Sequence, residues 1–204
     1  MQLERSQRPA GDRSLLRLGV VLDEIDRMES LVRDYLAFTR PAHELRQAAF
    51  DAHELLEDVA LLLSARAAGT DVRVVVSPGG AVLVADRARI REALFNLVDN
   101  AVRASPRGGV VELAHTITSS PDAAGHRLQV SDRGPGMAPH IAAALAAGDA
   151  AYLTTGTDGS GLGLTIARAA VAQHGGQLVF QARPGGGTVA CIELPAAGHD
   201  EGRA

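Results

Sequence analysis

Lysine is absent from the 204 residues, and all 20 basic side chains are arginine. A phosphate loop of the GxxxxGK type is therefore excluded, and any cationic side chain that meets a phosphate must be a guanidinium. Cysteine occurs once, as Cys191, which rules out an internal disulfide and a zinc site built from cysteine alone. Within VACIEL it reads as a small buried strand residue. No run approaches the roughly 20 apolar residues of a membrane-spanning helix. The opening MQLERSQRPAGDR also lacks the apolar core of a signal peptide. A net charge of −4 offers no global attraction to nucleic acid. What is present, 46% hydrophobic and 22% charged residues, suits a soluble cytoplasmic protein of one domain with a short appendage.

Along the chain, residues 1–12 are polar and read as a flexible lead-in. From 13 to 40, Leu15, Leu18, Leu22, Ile25, Val32 and Leu36 recur at helical steps, and Met28, Leu31 and Tyr35 widen the face. Such a helix would be about 40 Å long. It cannot bury its stripe alone, so pairing in a homodimer or bundle is expected through residues 13–40, with Pro41 as its end. After a linker to 47, a domain over 48–195 is expected, followed by a disordered tail at 196–204. Within the domain the pattern predicts a helix at 52–67, strands at 72–77 and 81–85 across the Pro78-Gly79-Gly80 turn, and a helix capped by Asp86 that runs to 104. Strands at 109–117 and 126–132 would flank a loop at 119–125. An Ala-rich helix at 139–147, a loop at 148–160, a helix at 161–174 and a closing hairpin around Pro184–Gly187 complete it. This predicts an α/β (α+β) two-layer sandwich: a mixed, mostly antiparallel sheet covered on one face by helices and preceded by a long N-terminal helix.

Three segments concentrate glycine and amide side chains: NLVDNAVRAS at 96–105, DRGPGM at 132–137 and GSGLGL at 159–164. On a helix turning about 100° per residue, Glu92, Asn96, Asp99, Asn100 and Arg103 share one stripe. Ile90, Leu94, Leu97, Val98 and Ala101 lie opposite. An ordinary amphipathic surface helix gives that segregation too. A triphosphate would use it further, since Mg²⁺ takes oxygen ligands and an asparagine carbonyl can join phosphate oxygens around it. Arg103 can grip phosphate oxygens in a fork. Asp132 ends an apolar strand, and its carboxylate only accepts hydrogen bonds, as a purine's exocyclic amino group requires. Gly134 and Gly136 clear side chains from the path of a flat ring, although an Asp-initiated turn after a strand reads the same way. GSGLGL opens a helix whose free N–H groups and dipole favour phosphate. There Gly159, Gly161 and Gly163 let the backbone close over an anion while Leu162 and Leu164 anchor the helix.

In order and separation these segments resemble the nucleotide site shared by sensor histidine kinases, gyrase-type topoisomerases and the Hsp90 chaperones, over about residues 20–195. NLVDNAVRAS is similar to the histidine-kinase N box. The resemblance implies ATP or ADP as ligand, Asn100 as the magnesium ligand, and Asn96 and Arg103 as nucleotide contacts, with arginine standing where the family usually has lysine. DRGPGM resembles the DxGxG box, which implies that Met137 lines the base pocket. GSGLGL resembles the GxGLGL box. Residues 148–158 resemble the short lid of nitrogen-regulation-type kinases, with Tyr152 in place of a phenylalanine and Gly156 in place of a lysine. Thr188, in GGGT, matches a threonine that borders the nucleotide.

Residues 20–41 resemble the second helix of the family's dimerisation hairpin, whose first helix carries the acceptor histidine. No histidine precedes His43. HELR at 43–46 copies the start of an H box but follows that second helix, so it reads as a decoy. No catalytic side chain is assigned, and the acceptor is expected on a histidine-bearing partner kinase or a missing region. The resemblance implies a response regulator as a further partner. A serine kinase or ATPase of the same superfamily, or a nucleotide-binding regulatory module, are the alternatives. The former enzymes carry a glutamate four positions before the magnesium asparagine, where this chain has Asn96, and Glu92 lies a further turn away. An amide cannot take a proton at neutral pH. The expected function is therefore the Mg-ATP-binding catalytic domain of a two-component sensor histidine kinase, inactive in isolation.

Overall fold

In this computed structural model the described residues are Met28, 45–120, 123–137 and 162–196. The expected helix over 13–40 (apart from Met28), the Ala-rich helix at 139–147 and the lid at 148–158 lie outside them. The described chain runs β1 (Ala48–Asp51), α1 (Ala52–Thr70), β2 (Arg73–Val76), β3 (Val82–Ala85), α2 (Arg87–Ala104), β4 (Val110–Ser120), β5 (Ala123–Ser131), α3 (Leu162–Gln173), β6 (Gln177–Ala182) and β7 (Thr188–Pro195).

Five strands form one mixed sheet in the order β2-β4-β5-β7-β6. β2 pairs parallel with β4, and every other pairing is antiparallel. Register sets the two faces, because successive side chains alternate across a strand. Val111 and Leu113 of β4, Leu128 and Val130 of β5, and Ile192 and Leu194 of β7 point into the core. Leu55 and Val59 of α1, Leu94 and Val98 of α2, and Ala167 and Val171 of α3 share that core. The other face has no described helix over it and is laced by polar side chains. Arg127 meets Glu193 at 2.7 Å, and Gln177 donates to the same carboxylate at 2.6 Å.

Two expectations need correction. The strands at 72–77 and 81–85 do not form a hairpin, since β2 enters the large sheet while β3 pairs antiparallel with β1, Phe50 opposite Leu83. β1 falls at the start of the expected domain, where the sequence assigned no element, because AAFD has one large apolar residue and no alternation for the pattern to register. The loop expected at 119–125 is also largely strand, with Ser120 opposite Ala123. Its serine, alanine and glycine residues carry little hydrophobic signal, and pairing with β4 and β7 overrides local preference.

Asp86 caps α2 as expected, accepting from the N–H groups of Ala88 and Arg89 at 3.1 and 3.2 Å. Its other oxygen accepts from Arg46 N–H at 3.1 Å. Burial alone would raise this carboxyl's pKa, but the three backbone donors and nearby His174 hold it below the ordinary value. His174 in turn closes α3 onto the same cap. Its Nε2 accepts from Asp86 N–H at 3.0 Å, and its Nδ1 donates to the Ala170 carbonyl at 2.7 Å.

Candidate functional site

On α2 the apolar face sinks completely: Ile90, Ala93, Leu94, Leu97, Val98, Ala101 and Val102 are buried. Asn96 is half-buried on the other side and Asn100 is exposed. The Asn96 amide donates to the Glu92 carbonyl at 2.9 Å, one turn back. Its Oδ1 faces the first turn of α3, where a Cβ on Gly163 would stand 3.0 Å from it. A side chain at 163 would crowd that amide, so glycine suits the close approach of α3 to the amide face of α2. Leu162 opens α3, and Leu164 packs partly buried against the core. Arg103 pairs with Asp99 at 3.0 Å, an exposed guanidinium held beside a mostly covered carboxylate.

The exit of β5 is built around Asp132, only 6% exposed. Its Oδ1 accepts from the N–H of Gly134 at 2.8 Å and of Thr188 at 3.2 Å. Its own N–H donates to the Thr188 carbonyl at 2.9 Å. Its Oδ2 accepts from no described residue. A Cβ on Gly134 would stand 2.5 Å from the Ala104 carbonyl, so the loop lies against the C-terminal end of α2. Gly136 has φ of 79°, and Met137 beside it is half-buried. Gly187, at φ of 107°, rests on the Asp132 carbonyl so closely that a Cβ would lie 2.1 Å away. Only glycine can occupy that turn.

Three contacts therefore connect four stretches distant in sequence: Asn96 to Gly163, Ala104 to Gly134, and Asp132 to Gly187 and Thr188. The Asn100 side chain and Met137 make no hydrogen bond among the described residues. Tyr152, Gly159 and Gly161 lie outside them. Among the described residues no group of three or more histidine, cysteine or acidic side chains could hold a metal ion. A divalent ion would then need a ligand's own oxygens, and the exposed amide of Asn100 is an oxygen donor of the kind Mg²⁺ accepts.

Two arrangements had no sequence signal. Arg183 donates from Nη1 to the Asp132 carbonyl at 3.2 Å and from Nη2 to both carboxylate oxygens of Glu112, at 3.1 and 3.0 Å. His115 and His126 stack with ring centroids 5.3 Å apart, and Nε2 of the first lies 3.0 Å from Nδ1 of the second. Burial lowers the pKa of both. The neighbouring His126 lowers His115 further, against a smaller upward pull from Asp51. Along β5 this pair is about 20 Å from Asp132.

Residues 85–198 match the family model described as histidine kinase-, DNA gyrase B-, and HSP90-like ATPase. The histidine protein kinase DivJ of Caulobacter vibrioides is 32% identical over 197 residues, covering 92% of this chain and 32% of that protein. This chain thus spans about a third of that relative's length. The crystal structure of full-length ShkA in complex with AMPPNP is 31% identical with a TM-score of 0.68, covering 96% of this chain and 41% of ShkA. The nucleotide-free catalytic domain of histidine kinase ThkA is 26% identical with a TM-score of 0.62, covering 74% of this chain and 96% of that domain.

Proposed function

The chain belongs to the histidine kinase-, DNA gyrase B- and HSP90-like ATPases, and we propose that it is the Mg-ATP-binding catalytic domain of a two-component sensor histidine kinase. Asp132 carries this reading. A nearly buried carboxylate has one oxygen saturated by two backbone N–H groups and the other left without a described donor. That second oxygen is an acceptor set for an exocyclic amino group, with Gly134, Gly136, Met137 and Thr188 around the base. Asn100 would hold Mg²⁺ against the phosphates, and the ion would neutralise charge developing on the transferred group. Asn96, Arg103, Tyr152 and the Gly159–Leu164 segment, with Gly161, Leu162 and Gly163, complete the triphosphate contacts.

Asn96 separates kinase from hydrolase. Its amide is engaged by its own helix, and it cannot accept a proton from water or serine. A neutral imidazole needs no such base, so histidine is the acceptor that fits. No described histidine is offered to this site. His115 and His126 hold each other, His174 is committed at both nitrogens, and His53 lies beside Glu57 at 3.5 Å. His43 lies outside the described residues. The acceptor is therefore supplied by a partner or by another region, with dimerisation through residues 13–40, a response regulator downstream and the domain in the cytoplasm.

Calorimetric titration with Mg-ATP tests the reading. Asp132→Asn turns an acceptor into a donor facing the amino group and should weaken binding about tenfold to a hundredfold. A wild type that binds no nucleotide overturns the assignment.

A further inference from the structure

We propose that Arg183 is a positioning residue that gives the Asp132 site its preference for a 6-aminopurine; this rests on the adenine reading above. Arg183 is the last residue before the Pro184–Gly187 turn, and its side chain is 15% exposed. The guanidinium bridges two places 20 residues apart in sequence on adjoining strands. One nitrogen donates to the main-chain carbonyl of Asp132 at 3.2 Å, and another holds the Glu112 carboxylate on β4 at 3.0 Å. The Arg183 N–H donates to the Gly187 carbonyl at 3.0 Å, and this closes the turn that presses Gly187 onto Asp132.

Every polar group of Asp132 except Oδ2 is thereby fixed. The N–H is held by the Thr188 carbonyl, the carbonyl by Arg183, and Oδ1 by Gly134 and Thr188. Oδ2 can then point in one direction only. A carboxylate that accepts hydrogen bonds welcomes an amino group at the purine 6-position and repels a carbonyl there, provided it cannot turn away. Rotational freedom of the Asp132 peptide would let Oδ2 swing aside and admit either base. Glu112 anchors the guanidinium from outside the base pocket, so it acts on selectivity without meeting the nucleotide. Arg133 stands 3.7 Å from the same carboxylate and can hold it only weakly in place of Arg183.

The test is the ratio of Mg-ITP to Mg-ATP dissociation constants, by calorimetry on the full chain, beside melting of the nucleotide-free protein. Wild type should favour ATP strongly. Arg183→Met keeps the aliphatic stem and should shrink the ratio about tenfold, chiefly by relaxing the rejection of ITP. Arg183→Lys can reach only one of the two acceptors and should restore part of it. Glu112→Gln removes the anchoring charge at a distance from the base and should shrink the ratio in the same direction by less; it carries the test if Arg183→Met does not fold. If both variants weaken ATP and ITP equally, Arg183 only supports the fold and the inference fails. If the wild type itself does not distinguish ATP from ITP, the adenine reading of Asp132 fails first.

Discussion

Asn100 and Leu97 lie three residues apart on α2 and should behave oppositely. Leu97 is 3% exposed among the core residues, so Leu97→Ala should cost about 2–5 kcal/mol of stability with nucleotide contacts intact. Asn100 is exposed, and Asn100→Ala should leave the melting temperature unchanged while removing magnesium-dependent ATP binding in calorimetry. A destabilised Asn100→Ala with normal binding would refute the proposed magnesium role. Residues of this kind were legible because a 3.6-residue period separates faces without any tertiary knowledge. Asp132 stood out through the order and separation of DRGPGM relative to the other two segments, since an Asp-initiated turn after a strand is common by itself. Arg183 was not, since Glu112 lies 71 residues away and only the β4-β5-β7-β6 register brings them together.

Among the elements, α2 was read closely because its cap and its apolar face agree. Asp86→Ala removes two cap bonds and the Arg46 contact together. It should lower stability by about 1–2 kcal/mol in urea denaturation. An unchanged midpoint would mean that the Asp86 N–H bond to His174, which survives the substitution, is what holds the helix start. Strand pairing was less accessible than strand existence. RVVV and VLVA both read as strands, yet nothing local shows that the first joins β4 in parallel across 37 residues while the second turns back to β1. The closing β6-β7 hairpin was readable because the Pro-Gly-Gly-Gly turn folds two strands adjacent in sequence back on each other.

For the whole molecule, acid should act in two steps. His115 and His126 have lowered pKa values, so the folded state keeps them neutral while the unfolded chain takes up protons near the ordinary value of about 6.5. Their contribution is present above that pH and is lost as pH falls below it, until the folded pair itself protonates and two N–H groups confront each other. Asp86, also lowered, keeps its contribution to much lower pH and loses it below the usual carboxylate range. Denaturation midpoints measured from pH 8 to 5 should therefore fall below about 6.5, with a shallower decline in His126→Gln. An equal slope in both would show that the stacked pair does not link folding to protons.

The parallel β2–β4 pairing also has a temporal meaning. Hairpins β4-β5 and β6-β7 join neighbours in sequence, whereas β2 must wait until β3 and α2 have been laid between it and its partner. It is a four-residue edge strand, tied by its ladder to one neighbour, with Val75 40% exposed. Late to arrive and lightly held, it is the natural first part of the sheet to open and exchange its amide protons, carrying α1 with it. The residues around Asp132 that we propose face the nucleotide follow directly on β5, two strands further in, and would keep their arrangement through that opening.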